Sequence, residues 1–283
     1  MYESFYNLKE NPFGMTPNPR FFYKANGHRG ALAYLAYGIF GKKGFLALTG
    51  AVGLGKTTVI RAFVQTMQPC LEVAFVLNTK VGFEEMLYMF LHDFGCSVRG
   101  SSKVEMLTAL NEFLIENYAQ NRNPVLIIDE AQNLTADVLE ELRMLSNLET
   151  DNQKLIQIVL VGQPELESVL ARNELRQLRQ RIPGIHRMQN LTQEEVGRYI
   201  RYRLGIAGLS NGHLSFAPEA QEEIFKFTRG IPRLINLVCE RALLNGYRNQ
   251  ASIIDRTIVE TSIRDLRQPS PADADPGPAE LST

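Results

Sequence analysis

A glycine-rich segment with one lysine and two threonines directly follows the apolar run 44–49. It matches the pattern G-x-x-x-x-G-K-[ST], in which glycines let backbone N–H groups approach an anion closely. Lys56 of this pattern reaches the β- and γ-phosphates of a nucleotide, and the Thr57 hydroxyl is a ligand of Mg²⁺. A plain glycine turn is the alternative, which the position between a predicted strand and a predicted helix disfavours. We therefore predict bound ATP and Mg²⁺, with nucleotide contacts from Gly50, Ala51, Val52, Gly53, Leu54, Gly55, Lys56, Thr57 and Thr58.

An acidic pair, Asp129 and Glu130, ends the apolar run 124–130. Carboxylates at the end of a buried strand are costly unless they face a cation or water. Beside a phosphate-binding loop, Asp129 is predicted to hold Mg²⁺ together with Thr57, and Glu130 to polarise the attacking water. The alternative is a strand end with two solvated acids.

Three further polar features carry weaker signals. Gln163 directly follows the apolar run 157–162 at the end of a predicted strand. It is either a sensor of the γ-phosphate or an ordinary polar strand cap. Arg179 and Arg181 lie in an arginine-rich segment that is either a solvated helix face or the source of an arginine finger for a neighbouring subunit. Arg233 stands in the first turn of a predicted helix, where a cation is locally unfavourable. It is therefore predicted to point toward phosphate, with an exposed surface arginine as the alternative.

Short apolar runs alternate with amphipathic segments between residues 29 and 190. This alternation predicts the strands and helices that position the candidate site residues. The runs 44–49, 71–78, 124–130 and 154–162 suit strands that are buried on both faces. Segments such as 83–95 repeat apolar residues at helical spacing. The alternation predicts βαβ units, and hence an α/β fold with a parallel sheet between two layers of helices.

The chain divides into four predicted segments. Residues 1–28 are an arm rich in proline and aromatic residues, and 29–190 are the P-loop core, with 186–190 as its last strand. Residues 191–267 are predicted to form an all-helical lid domain, which opens with a capping box at Thr192 and Glu195. Residues 268–283 are rich in Pro, Ala and Asp, and we expect them to be disordered.

The composition excludes several classes of protein. A net charge of −1, from 30 basic and 31 acidic residues, gives no overall attraction to nucleic acid or anionic membrane. The three cysteines suggest neither a disulfide framework nor a zinc site. The N-terminus lacks the features of a signal peptide, and no apolar run is long enough to cross a bilayer. These features predict a cytoplasmic protein without a direct membrane span.

Together these motifs resemble the AAA+ ATPases, and more narrowly the ExeA/GspA-like secretion ATPases of type II secretion and related pilus systems. The resemblance covers about residues 1–267, and the segments that carry it are FYNLKENPF, TPNPRFFY, HRGALAYLAYGI, VLIIDEAQNL, LVGQPEL, LRQLRQRI and GIPRLINLVCERALL. It implies ATP hydrolysis, a homo-oligomer and coupling to assembly at the cell envelope. It also implies that Gln163 is a sensor-one residue, Arg233 a sensor-two residue, and Arg181 the first finger candidate, with Arg179 second.

The chain departs from the longer members of that family, which continue into a transmembrane helix and a peptidoglycan-binding domain. We expect either a shortened chain or a soluble sub-branch, held at the inner membrane through a partner protein. The same branch of AAA+ proteins resembles DNA transposition regulators and replication initiators. An ATP-dependent DNA-binding regulator is therefore the alternative function, disfavoured by the near-neutral charge. A nucleotide switch with negligible turnover is a third class, disfavoured by Glu130.

Overall fold

The computed structural model describes residues 2–16, 18–97, 100, 102–151, 153–209 and 214–267. The segment 268–283, which we expect to be disordered, lies outside the described residues. The helices, in chain order, are α1 (Tyr2–Phe5), α2 (Asn26–Phe40), α3 (Lys56–Met67), α4 (Phe83–Asp93), α5 (Lys103–Ala119), α6 (Ala136–Leu145), α7 (Glu165–Leu170), α8 (Arg176–Arg179), α9 (Gln193–Ile206), α10 (Pro218–Thr228), α11 (Pro232–Arg248) and α12 (Arg256–Arg267). The strands are β1 (Phe45–Thr49), β2 (Leu71–Val76), β3 (Asn123–Ile128), β4 (Gln157–Gly162), β5 (Ile185–Arg187), β6 (Ser215–Phe216) and β7 (Ile253–Ile254).

These elements form two compact units. Residues 24–189 make up the sheet unit, and the described residues up to Tyr23 and from Asn190 onward make up the helical unit. The sequence analysis predicts a separate arm over residues 1–28. In the structure, its first part belongs to the helical unit, whereas its last residues begin α2 of the sheet unit.

A parallel sheet in the order β2-β3-β4-β1-β5 forms the centre of the sheet unit. Its strands β1, β3 and β4 are buried along their whole length, because helices cover both faces. Alternate residues such as Phe45 and Ala47 pack in one cluster with α4–α7. Leu46, which points to the opposite face, lies against α2 at Gly38, where an added Cβ would stand 2.1 Å from the Leu46 side chain. The predicted α/β fold with a parallel sheet between helices is confirmed.

The last core strand is shorter than predicted. The sequence predicts a strand over 186–190, but β5 ends at Arg187, and the N–H of Met188 then donates to the carbonyl of Thr49. A strand of this length at the sheet edge shows too little alternation for its end to be read from sequence.

Helices dominate the helical unit, with one correction to the prediction. The Thr192 capping box at the start of α9 is confirmed, since Glu195 N donates to Thr192 Oγ1 at 3.3 Å and Thr192 N to Glu195 Oε2 at 3.0 Å. The prediction that this region is all-helical is wrong, because β6 and β7 pair in parallel. Two-residue strands carry no detectable periodicity, so only the fold reveals them. Among the described residues, no helix is both long and apolar enough to cross a bilayer.

The N-terminal arm is built into the core of the helical unit. Tyr2 Oη and Asn11 Nδ2 donate to the two carboxylate oxygens of Glu240 at 2.8 and 3.0 Å, and burial raises the pKa of that carboxyl group. The buried Arg203 donates from Nε to the carbonyl of Pro12 at 2.5 Å, and its guanidinium lies 4.9 Å from the ring centre of Phe21. A cation between aromatic faces is stabilised without a carboxylate partner. These contacts explain why an arm so rich in proline is ordered.

Gly230 has no room for a side chain, so its replacement should destabilise the protein. Its φ is +77°, and an added Cβ would lie 1.9 Å from the carbonyl oxygen of Leu191. Gly230→Ala should therefore lower the free energy of unfolding by at least about 2 kcal/mol, from left-handed strain and backbone displacement together. Urea unfolding of the whole chain measures this loss.

Gly205 in α9 is the matched control, since nothing lies within 4 Å of an added Cβ there. Gly205→Ala should stabilise the helix by about 0.5–1 kcal/mol. Equal unfolding midpoints for the two variants would contradict the steric argument.

Candidate active site

The glycine-rich loop joins the end of β1 to the start of α3, as the motif requires. Gly53 and Gly55 have φ values of +83° and +87°, in the left-handed region that glycine enters without strain. Gly55 is the N-cap residue, and α3 begins at Lys56. The first N–H groups of a helix have no intrahelical partner, so this end of α3 is suited to an anion. All nine residues of 50–58 lie in this loop and the first turn of α3.

Residues outside the motif fix the loop. Gly50 N donates to the carbonyl of Gly162 at 3.2 Å, and a Cβ at Gly50 would meet Leu54 and Met188, each at 3.1 Å. The buried His28 of α2 bonds through Nε2 to the carbonyl of Leu54 at 3.2 Å. Sequence reasoning did not single out His28, because no pattern links α2 to the loop.

Lys56 is buried beneath the loop, with 7% of its surface exposed. Its ammonium group donates to the carbonyls of Gly50 at 2.8 Å and Ala51 at 3.3 Å. Burial lowers the pKa of Lys56, and the nearby carboxylates of Glu130 and Asp129 act in the opposite direction. A cation held this way costs desolvation energy that an incoming phosphate can offset.

Thr57 and Asp129 meet directly across the site. Thr57 Oγ1 donates to Asp129 Oδ2 at 2.5 Å, although the two residues are 72 positions apart. The N–H of Asp129 bonds to the carbonyl of Val76 at 3.0 Å, which fixes the turn after β3. A hydroxyl and a carboxylate are the hard oxygen ligands that Mg²⁺ prefers. The residues present therefore fit the predicted metal site.

Glu130 occupies a strained position in the turn after β3. Its φ and ψ are 53° and 38°, a left-handed conformation that is uncommon for a residue with a side chain. The Thr79 hydroxyl donates to its backbone carbonyl at 3.3 Å. Strain of this kind persists where surrounding contacts hold it, and it is concentrated at functional sites.

Two glutamine side chains bind the carboxylate of Glu130. Gln132 Nε2 and Gln163 Nε2 both donate to Oε2, at 2.6 and 3.1 Å. The hydrogen bond from Gln132 lowers the pKa of Glu130, burial acts in the opposite direction, and the bond from Gln163 and the charge of Lys56 add to the lowering. The structure thus brings Gln163 to the acidic pair. Gln132 was not predicted from the sequence, and its place two residues after Glu130 is the only signal that could have found it.

The three predicted arginines lie apart from the hydrogen bonds that join the loop and the acidic pair. Arg181 is half-buried, and its Nη1 donates to Ser146 Oγ at 2.7 Å. Arg179 is exposed at the end of α8, with no hydrogen-bond or ion-pair partner among the described residues. In the described part of the structure, neither arginine bonds to the glycine-rich loop or to the acidic pair. Arg233 belongs to the helical unit, where it is exposed in the first turn of α11.

Comparison with known proteins agrees with this geometry. Residues 41–170 match the family described as an AAA domain. The chain is 41% identical over 248 residues to general secretion pathway protein A of Aeromonas hydrophila. The match covers 87% of this chain and 45% of that protein, so the chain spans about half the length of the relative.

Solved structures share the fold at low sequence identity. The ORC2 protein of Aeropyrum pernix, solved as ADPNP–ADP complexes, superposes with a TM-score of 0.68 at 15% identity, over 93% of this chain and 72% of its own. Cdc6p of Pyrobaculum aerophilum gives a TM-score of 0.67 at 20% identity, over 89% and 71% of the two chains. The resemblance predicted from the motifs is therefore confirmed: residues 41–170 match the AAA domain family, and most of the chain is similar to general secretion pathway protein A.

Proposed function

We propose that this chain binds ATP with Mg²⁺, hydrolyses it to ADP and phosphate, and thereby powers or regulates assembly of a secretion or pilus-type complex in the bacterial envelope. One observation carries the hydrolytic part. Three different regions of the chain meet at the carboxyl edge of one parallel sheet, where contacts between side chains or charges join them. These regions contribute Lys56, Thr57, Asp129, Glu130 and Gln163. Ligands of open α/β sheets bind at this edge.

Each residue has a role that follows from its chemistry. The N–H groups of the loop and the Lys56 ammonium bind the phosphates, and Thr57 and Asp129 hold Mg²⁺, which neutralises charge on the phosphate oxygens when it is bound. Oε1 of Glu130 accepts no hydrogen bond within the described residues, so it is available to a water molecule. Glu130 then orients that water and takes its proton. Gln163, already bonded to Glu130, responds to the γ-phosphate.

The envelope role rests on the similarity to general secretion pathway protein A. An in-frame deletion in the native host should block assembly of the complex, and a copy with Lys56→Ala should fail to restore it. Normal assembly in the deletion strain would contradict the role. The partner is an inner-membrane or other envelope protein, which places this chain in the cytoplasm or at the inner face of the membrane.

The DNA-binding alternative is separated by one assay. We expect Mg²⁺-dependent phosphate release that is lost on chelation, together with weak binding of double-stranded DNA that vanishes as salt rises. Tight ATP-dependent retention of one DNA sequence at physiological salt would favour the regulator instead. Release of phosphate at background rates would favour the nucleotide switch.

The chain is proposed to form a homo-oligomer in which Arg181, or else Arg179, acts on the nucleotide of the neighbouring subunit. Arg233 is proposed separately to contact nucleotide as a sensor-two residue. Arg181→Ala should bind ATP nearly normally, yet turn over at least about tenfold more slowly, because phosphoryl transfer spreads negative charge that a guanidinium stabilises. Arg179→Ala is the parallel variant, since within the described part of the chain its exposed side chain has no partner to release.

Mixing is the decisive measurement for this arrangement. The Arg181→Ala and Lys56→Ala chains, each impaired alone, should recover activity together, because a mixed interface pairs an intact loop with an intact arginine. If native mass spectrometry shows mixed oligomers of either arginine variant with Lys56→Ala and no activity returns, these arginines belong to a solvated face.

A further inference from the structure

Gln132 closes a ring of hydrogen bonds between the ends of β3 and β4. Its Nε2 donates to Glu130 Oε2 at 2.6 Å, and its Oε1 accepts the backbone N–H of Gln163 at 3.0 Å. Gln163 completes the ring by donating from Nε2 to the same Glu130 oxygen at 3.1 Å. Gln132 thus ties the carboxylate to the backbone of a neighbouring strand.

The orientation of the Gln132 amide follows from these partners. The N–H of Gln163 can only donate, so the carbonyl oxygen of Gln132 must face it. The NH₂ group is then left for the carboxylate of Glu130. Reversing the amide would place an NH₂ against the N–H and an oxygen against an ionised oxygen, which are both repulsive contacts. The network therefore specifies one amide orientation.

The surroundings leave room for this side chain and hold its backbone. A Cβ at Gly162 would lie 2.7 Å from Gln132 Oε1, so glycine at the end of β4 makes space for the amide. Gln132 stands in the 3₁₀ turn Ala131–Asn133, whose first residue is fully buried. Leu134 N donates to the carbonyl of Ala131 at 3.2 Å and closes the turn. A side chain on so restrained a turn loses little freedom when it binds Glu130.

The two glutamines differ in what holds them. Gln163 uses its side chain for Glu130, and the same amide is the group proposed to respond to the γ-phosphate. If that amide turns to phosphate, Glu130 loses one donor. Gln132 has both amide atoms engaged within the protein, at a shorter distance to Glu130. It can therefore hold the carboxylate throughout the reaction.

We propose that Gln132 is a positioning residue for hydrolysis: it anchors Oε2 of Glu130 to the end of β4, so that Oε1 is left to receive the proton of the attacking water. This inference rests on the proposed function, in which Glu130 acts on that water. Charged groups of the described residues at this site include the Lys56 ammonium and the carboxylates of Asp129 and Glu165. The Gln132 side chain joins the Glu130 carboxylate to the backbone N–H of Gln163, the residue directly after β4.

Two substitutions test the donor. Gln132→Met keeps the length of the side chain but removes both hydrogen bonds, and Gln132→Glu places a second carboxylate against Glu130. Gln132→Met should lower kcat by about ten- to hundredfold, the worth of a hydrogen bond to an ionised group. Gln132→Glu should lower it further. Affinity for a fluorescent ATP analogue should stay within about twofold of wild type, because the Gln132 amide bonds to Glu130 and Gln163 and, among the described residues, to no residue of the glycine-rich loop.

A double-mutant cycle with Glu130→Gln distinguishes positioning from a merely structural role. If Gln132 acts through the Glu130 carboxylate, Gln132→Met should lower kcat when Glu130 is intact and have little further effect in the Glu130→Gln chain. Asn133→Ala is the matched control, since its exposed side chain lies in the same turn and its loss should leave kcat unchanged. A normal kcat in Gln132→Met, or an equal loss with and without the Glu130 carboxylate, would overturn the inference.

The inference and the function it rests on can fail separately. Glu130→Gln, measured in the same assay, reports on the carboxylate itself. If Glu130→Gln turns over like wild type, the proposed role of Glu130 is wrong, and the role of Gln132 falls with it. If Glu130→Gln is inactive while both Gln132 variants keep wild-type rates, the positioning role alone is wrong.

Discussion

Lys56→Ala is expected to weaken ATP binding by at least about 100-fold, which corresponds to about 2.7 kcal/mol. The buried ammonium donates to backbone carbonyls of the loop and, among the described residues, bonds directly to no carboxylate, so a phosphate would be the first anion in direct contact with it. Hydrogen bonds to charged groups are worth about twice those between neutral groups. Lys56 is also largely shielded from bulk water, since it is buried. Hydrolysis should disappear with binding. Titration with a fluorescent ATP analogue measures the affinity.

Arg61→Ala is the matched control for this variant. Arg61 lies on the same helix, α3, but is exposed and has no ion-pair partner among the described residues. Removing its charge should leave ATP affinity within about twofold of wild type. Equal affinity in wild type and a correctly folded Lys56→Ala would mean that the loop does not bind phosphate. Equal losses in the two variants would point to a general electrostatic effect.

Glu130→Gln is expected to bind ATP normally and to hydrolyse it about 10²–10⁴-fold more slowly, the usual contribution of a positioned general base. The substitution keeps the size of the side chain and an oxygen that Gln132 and Gln163 can still bind. It removes the negative charge that orients water and accepts its proton. Asp129 and Thr57 are untouched, so metal binding should persist. Single-turnover hydrolysis with bound ATP separates the chemical step from binding.

Asp137→Asn is a suitable control for the loss of one acidic charge, because this residue is exposed at the start of α6. It should retain wild-type turnover. A Glu130→Gln protein that binds and hydrolyses ATP at the wild-type rate would assign the water to another group. A variant that fails to bind ATP would show instead that Glu130 shapes the nucleotide site.

The sequence by itself determined the residues of the glycine-rich loop and the acidic pair. Both depend on local chemistry: glycines at positions of positive φ, a lysine at the start of a helix, and carboxylates where a buried strand ends. Periodicity also predicted the fold class, because continuous apolar runs that alternate with amphipathic helices admit few arrangements. The capping box that starts α9 could be read for the same reason, since its partners are three residues apart.

The tertiary structure decided which elements meet. His28 supports the loop from α2, and Gln132 reaches the end of β4, 31 residues away. Both depend on a strand order in which β4 lies between β1 and β3, and local periodicity carries no information on that order. The arm likewise packs on α9 and α11, more than 180 residues along the chain. Contacts between residues so far apart form only when the whole core assembles, so no local pattern in the sequence records them.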